Sequence, residues 1–208
     1  MKNLEEFLRS QGYTLIAGVD EAGRGAIAGP VFASAVIFPP DFFSRKVSQK
    51  LKDSKELSPE KREKLFEVIC KSALCYAIAY IDVKDINQIG IFKATYRAMY
   101  MALMNLKVKP ELVLVDGPYP IPEYKGLQKT VIDGDKLCPT ISAASILAKV
   151  SRDRYMKKLD KEYPAYGFAK HKGYATVEHK NALKKFGISP CHRSYYPSLK
   201  NLKIFKNV

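Results

Sequence analysis

The chain has 208 residues, 47% hydrophobic and 27% charged, which is enough apolar material for a domain with a true core and excludes a disordered composition. Its 35 Lys and Arg against 21 Asp and Glu give a formal charge of +14, a balance suited either to a polyanionic partner or to a merely basic surface. No stretch approaches ~18 uninterrupted apolar residues and the N-terminus lacks the apolar core of a secretory signal, so a soluble, cytoplasmic protein without a membrane span is expected.

In chain order, residues 14–19 (TLIAGV) read as a strand that enters the glycine turn Gly23-Arg24-Gly25. The apolar run 31–38, bounded by Pro30 and Pro39-Pro40, reads as a second, buried strand. The segment 41–58 is polar. Ser58-Pro59-Glu60 carries the signals of a helix start, and that helix is predicted to run to about residue 72. A strand over 73–82 and a helix over 91–106, ended by Pro110, follow. ELVLVDGP is a short buried strand that ends at Asp116, and 128–135 is another that ends in a turn at Asp135. Pro139 starts a helix that reaches about Tyr163, and a last helix covers about 175–186. The tail beyond Pro190 is basic and irregular, and is expected to lie on the surface. The order β-β-α-β-α-β-β-α-α predicts one α/β domain over 1–208, a mixed central sheet flanked by helices, with a helical C-terminal region.

Cys70, Cys75, Cys138 and Cys191 form no CxxC pair, and the chain has only His171, His179 and His192. A structural zinc site is therefore not expected, and free thiols fit a reducing compartment.

The acids carry the chemistry. Asp20-Glu21, Asp116 and Asp135 each follow an apolar run, so each is placed at a strand end, where ligands of open α/β sheets bind. Converging carboxylates repel one another unless cations hold them. Oxygen ligands of this kind suit Mg²⁺ or Mn²⁺, and two such ions about 3.5–4 Å apart can drive phosphodiester hydrolysis. Taken alone, Asp20-Glu21 fits a solvated turn equally well. Neighbours on a strand point to opposite faces, so the two can share a site only where the strand bends or ends. Gly23 to Ala28 formally matches a dinucleotide fingerprint, but an apolar strand, not a helix, follows it.

Several ordered segments resemble ribonuclease HII. They are Gly18 to Gly25 (GVDEAGRG), Asp53-Ser54-Lys55 with Leu57-Ser58 and Lys61-Arg62, Leu114 to Gly117, Gly134-Asp135, Ile141 to Arg154, and Tyr166-Gly167-Phe168 with His171 to Tyr174. The resemblance covers nearly the whole chain. It implies a ribonuclease H-like fold and a metal site of Asp20, Glu21, Asp116 and Asp135, taking Mn²⁺ or Mg²⁺. It implies cleavage of the RNA strand of RNA–DNA hybrids and 5′ of ribonucleotides embedded in duplex DNA, leaving 3′-hydroxyl and 5′-phosphate ends. It also implies that the Gly23-Arg24-Gly25 backbone reads the ribose 2′-hydroxyl and that Tyr174 stacks on the neighbouring sugar.

Ser142, Ser145, Lys149 and Arg152 recur at helical spacing and either meet phosphates, the preferred reading, or form a solvated stripe. Asp153 is expected to pair with Arg152 and Arg154. His171, Lys172 and His192 are expected near substrate, and His179 on an exposed helix face. Asp53 and Lys55 receive no role. The rival function is a non-catalytic, basic nucleic-acid-binding module, which has no use for four carboxylates. A monomer is expected, and about 165–208 is expected to contact substrate.

Overall fold

The computed structural model describes residues 4–44, 58–196 and 199. Asp53, Ser54, Lys55 and Leu57 lie outside the described residues. The sheet has five strands in the order β3-β2-β1-β4-β5. They are β1 (Ile16–Ala22), β2 (Val31–Ile37), β3 (Cys75–Ile81), β4 (Leu112–Asp116) and β5 (Gln128–Val131). β1 runs antiparallel to β2 and parallel to β4, so the sheet is mixed, as expected.

The described helices are α1 (Leu4–Ser10), α2 (Pro59–Ser72), α3 (Val83–Ile89), α4 (Ile91–Met104), α5 (Gly134–Leu137), α6 (Pro139–Glu162), α7 (Phe168–His171) and α8 (Val177–Phe186). The Ser58 cap behaves as its sequence predicts, its hydroxyl accepting from Lys61 N–H. α1, α3, α5 and α7 were not expected from the sequence. All are seven residues or shorter, too brief for a helical period to register.

The alternation of β1 organises the molecule. Ala17 and Val19 pack with Tyr96, Ala98 and Met99 of α4 on one face. Ile16 packs on the other face with Leu112 and Leu114 of β4 and Ile141 of α6. Gly18 belongs to this second face, and a Cβ there would lie 2.2 Å from the backbone carbon of Thr140. The absence of a side chain thus lets the start of α6 rest directly on β1.

That start is capped from far away. Thr140 N–H and Oγ1–H both donate to Glu5 Oε1, at 2.8 and 2.7 Å. Burial pushes the Glu5 carboxyl up to about 7, from 4.5 when free. The folded state therefore holds this proton more tightly. Stability associated with the protonated form is complete below about pH 4.5 and is lost as the pH rises through 7. Glu5→Gln keeps an acceptor for Thr140 and removes the ionisation. It should raise the melting temperature by roughly 5 °C at pH 8 and leave it nearly unchanged at pH 4.5. Thermal melts at both values check this, and equal shifts at the two would refute it.

Candidate active site

Asp20 and Asp116 meet because of register. Val19 pairs with Val115, so the next residue on each parallel strand is a carboxylate. Both continue the face of Gly18 and Leu114 and point toward α6. Asp20 is 5% exposed and is bonded to Ser145 of α6. Burial, then the Glu21 and Asp116 charges, hold its carboxyl well above the usual range.

Glu21 leaves on the opposite face, as strand geometry requires. Its carboxyl lies 3.8 Å from Arg24, and its charge reaches Tyr96 of α4. It nevertheless feels Asp116, because β1 ends one residue later, where Gly23 turns at φ +91°. Burial raises the Glu21 carboxyl, and Arg24 partly offsets this. The strand end thus lets opposite faces share one rim.

Asp116 Oδ1 accepts from Gly134 N–H at 2.8 Å. This bond ties the end of β4 to α5, whose second residue is the buried Asp135. Asp135 therefore opens a short helix and does not end a strand. Asp133 turns the chain there at φ 53°.

The oxygen donors of these carboxylates are of the kind that suits a hard divalent cation, and the charges of Asp20, Glu21 and Asp116 act on one another. Among the described residues, no three His, Cys, Asp or Glu side chains stand close enough together to hold a metal ion.

A cleft of about 340 Å³ opens beside Glu21. Gly23, Arg24, Gly25, Ser145, Lys149 and Tyr174 line it, so six of the predicted substrate residues are brought together. Arg62 of α2 joins them. Arg62 had no role in the sequence-based expectation, although its place in a basic helix beside Leu57-Ser58 was the available signal. Lys172 lines a neighbouring hollow of about 360 Å³ with Arg62, Lys149, Lys157 and Lys170, and its Nζ donates to Ala169 O.

Other expectations need correction. Ser142 is 1% exposed, packed where α6 meets the sheet, and does not face the cleft. Arg152 is 0% exposed: it lies four residues after Ala148 and four before Met156, both equally buried. Arg152 therefore faces inward, and not toward phosphates or solvent as expected; its spacing from Ala148 and Met156 was the available signal. Asp153 pairs with Lys149 at 2.6 Å, since Arg152 is buried and Arg154 reaches Glu63 at 3.1 Å.

The three histidines form one buried cluster. His171 Nε2–H donates to Tyr166 O at 2.7 Å and its Nδ1 accepts from Gly173 N–H, so it shapes the turn before Tyr174 and does not line the cleft. His179, placed by sequence on an exposed face, is 0% exposed. Its Nδ1 lies 2.9 Å from Tyr174 O and its Nε2 lies 3.0 Å from Nε2 of His192. The carbonyl requires Nδ1–H on His179, and Ser189 N–H donating to Nδ1 of His192 leaves the second ring its proton on Nε2. Burial lowers His179 to about 4 and His192 to about 3, so both are neutral near pH 7. Both rings belong to the framework, and neither lines the cleft.

The stretch after Pro190 is also not a surface tail over its described part. Cys191, His192 and Arg193 are buried, and Ala28 bridges to His192. Sequence held no periodic signal for this.

A family model described as Ribonuclease HII matches residues 17–198. Ribonuclease HII of Caldicellulosiruptor bescii is 49% identical over 199 residues, covering 96% of this chain and 93% of its own length. Ribonuclease HII of Coxiella burnetii is 47% identical, covering 96% of each chain. The crystal structure of ribonuclease H2 from Pyrococcus horikoshii OT3 superposes with a TM-score of 0.78 at 28% identity, over 89% of this chain and 95% of that one. Among the described residues, no helix is long and apolar enough to cross a membrane.

Proposed function

The chain belongs to the ribonuclease HII family of endoribonucleases, and from that premise we propose that it hydrolyses the RNA strand of RNA–DNA hybrids and cuts 5′ of ribonucleotides embedded in duplex DNA, leaving 3′-hydroxyl and 5′-phosphate ends. One observation carries the reading. Asp20 and Asp116 are neighbours on one sheet face, and Glu21 borders a cleft whose other walls are cationic and glycine-lined. A module that only bound nucleic acid would gain nothing from carboxylates turned toward phosphate.

Asp20, Glu21, Asp116 and Asp135 would hold Mn²⁺ or Mg²⁺, two ions in all. Such ions supply an activated water and Lewis-acid stabilisation of the leaving oxygen when bound. The chain's own groups do the rest. Ser145 orients the Asp20 carboxylate. Lys149 and Arg24 offer positive charge to the phosphates that flank the cut. Gly23 and Gly25, lacking side chains, let the backbone approach a ribose closely enough to read its 2′-hydroxyl. Tyr174, 37% exposed in the cleft wall, offers a ring to the adjacent sugar.

A DNA duplex holding one ribonucleotide, offered with Mg²⁺ or Mn²⁺, should be cut once, on the 5′ side of that ribonucleotide. An intact duplex with both metals, at ample enzyme, would end this reading. Tyr174→Ala should lose about tenfold in kcat/KM on this junction and less on a uniform hybrid. Equal losses on the two would count against the stacking role.

A further inference from the structure

Two guanidinium groups with no exposed surface lie behind the turn that runs from Gly23 to Pro30. Arg193 donates through Nε to Gly29 O at 2.9 Å, and through Nη1 to Arg24 O at 3.0 Å and Ala26 O at 2.6 Å. Arg152 donates through Nε to Pro30 O at 3.0 Å and through Nη2 to Ala28 O at 3.2 Å. Five carbonyls within seven residues thus turn toward two buried cations. The backbone adds to the clamp: Arg193 N–H donates to Ile27 O at 2.9 Å, and Gly29 N–H to Cys191 O at 2.8 Å.

This arrangement has a directional effect. A peptide unit is planar and trans, so a carbonyl of Arg24 aimed at Arg193 sends the Gly25 N–H the opposite way. Gly25 lies on the cleft wall. The clamp therefore decides which backbone groups the cleft presents.

Arg152 also reaches the second wall. A Cβ on Gly23 would fall 1.9 Å from its Nε, so the guanidinium packs directly against that glycine. Its central carbon lies 5.5 Å from the centroid of the Tyr174 ring. One planar group therefore spaces the glycine turn from the tyrosine. Burying a guanidinium is expensive, and an apolar side chain would fill the volume without that penalty. It would not bond carbonyls from two strands of a turn.

We propose that Arg152 and Arg193 are positioning residues that fix the spacing between the Gly23–Gly25 backbone and the Tyr174 ring, and thereby set the preference for a 2′-hydroxyl over a deoxyribose. This rests on the ribose reading of the cleft. Neither residue touches substrate; both act through the turn.

The test uses the full chain carrying Asp116→Asn, so that binding is read without cleavage. Affinities are measured by fluorescence anisotropy, with Mg²⁺ present, for a DNA duplex containing one ribonucleotide and for the same duplex in all-DNA form. The Asp116→Asn protein should prefer the ribonucleotide duplex by about tenfold or more. Adding Arg152→Lys or Arg193→Lys keeps the charge and removes the fork, so the preference should fall to roughly twofold with all-DNA affinity held within about threefold. Circular dichroism checks that each variant is folded, and the second variant carries the test where the first does not fold. A preserved preference in a folded variant overturns the proposal. So does a loss that falls equally on both duplexes, or failure of both variants to fold, since either makes the pair purely structural. An Asp116→Asn protein without preference, together with an unsubstituted enzyme that leaves the ribonucleotide duplex intact, would instead bring down the ribose reading beneath it.

Discussion

Asp116→Asn should lower turnover on a hybrid by about three orders of magnitude or more, on the order of 4 kcal/mol in the barrier, while hybrid binding stays within about threefold. Asn is isosteric with Asp and keeps an oxygen for Gly134 N–H, so the bond that joins β4 to α5 survives. What disappears is one negative charge from a group in which Asp20 and Glu21 both feel Asp116. Fewer buried like charges also mean less repulsion in the metal-free fold, so the variant should melt no lower than the parent. Single-turnover cleavage, a binding titration and a melt together check the claim. Turnover close to that of the parent would remove Asp116 from the site, and a collapse in melting temperature would mean that the residue holds the fold.

Gly18→Val should unfold the protein or cost on the order of 4 kcal/mol or more, against about 1 kcal/mol for Gly12→Ala. At Gly18 a Cβ meets the backbone of Thr140 and Ile141 at 2.2–2.5 Å, and backbone cannot swing aside as a side-chain tip can. The start of α6 would have to lift off β1, carrying with it Ser145, which bonds Asp20. Gly12 is the control: its φ is +98°, but nothing lies within 4 Å, so only backbone strain is felt. Denaturant melts of the two variants decide the matter, and similar midpoints would mean that β1 and α6 are not as closely engaged as their geometry requires.

Both predictions concern residues that the sequence already marked, and the reason is physical. β2 is walled by Pro30 and Pro39, α2 opens with Ser58-Pro59, and α6 opens at Pro139, so local chemistry alone placed them to within a residue or two. Three of the carboxylates follow apolar runs because the sheet core ends where the cleft begins. α3 was missed although Asp82 caps it, accepting from Asp85 N–H, and Gly90 ends it at φ 80°. Seven residues offer too little period to outweigh a neighbouring strand and helix. Arg193 and His192 were beyond reach for a different reason. They sit in an aperiodic basic stretch: Arg193 is buried against a turn more than 160 residues earlier, and His192 against Tyr166, Phe168 and His179. His179 failed the same way: a helix face that looks polar is buried because two other imidazoles cover it.

That separation along the chain has a temporal meaning. The carbonyls of the 24–30 turn find their partners 122 to 172 residues away. Closing so long a segment carries an entropic penalty that grows with the logarithm of its length, and contacts of that span slow folding. β1 and β2 are neighbours in sequence and in the sheet, so their pairing closes only a short loop. On a ribosome the wall beside the acids cannot close until residues 191–196 emerge. A nascent chain has all four carboxylates in hand before it carries the residues that decide what is placed against them.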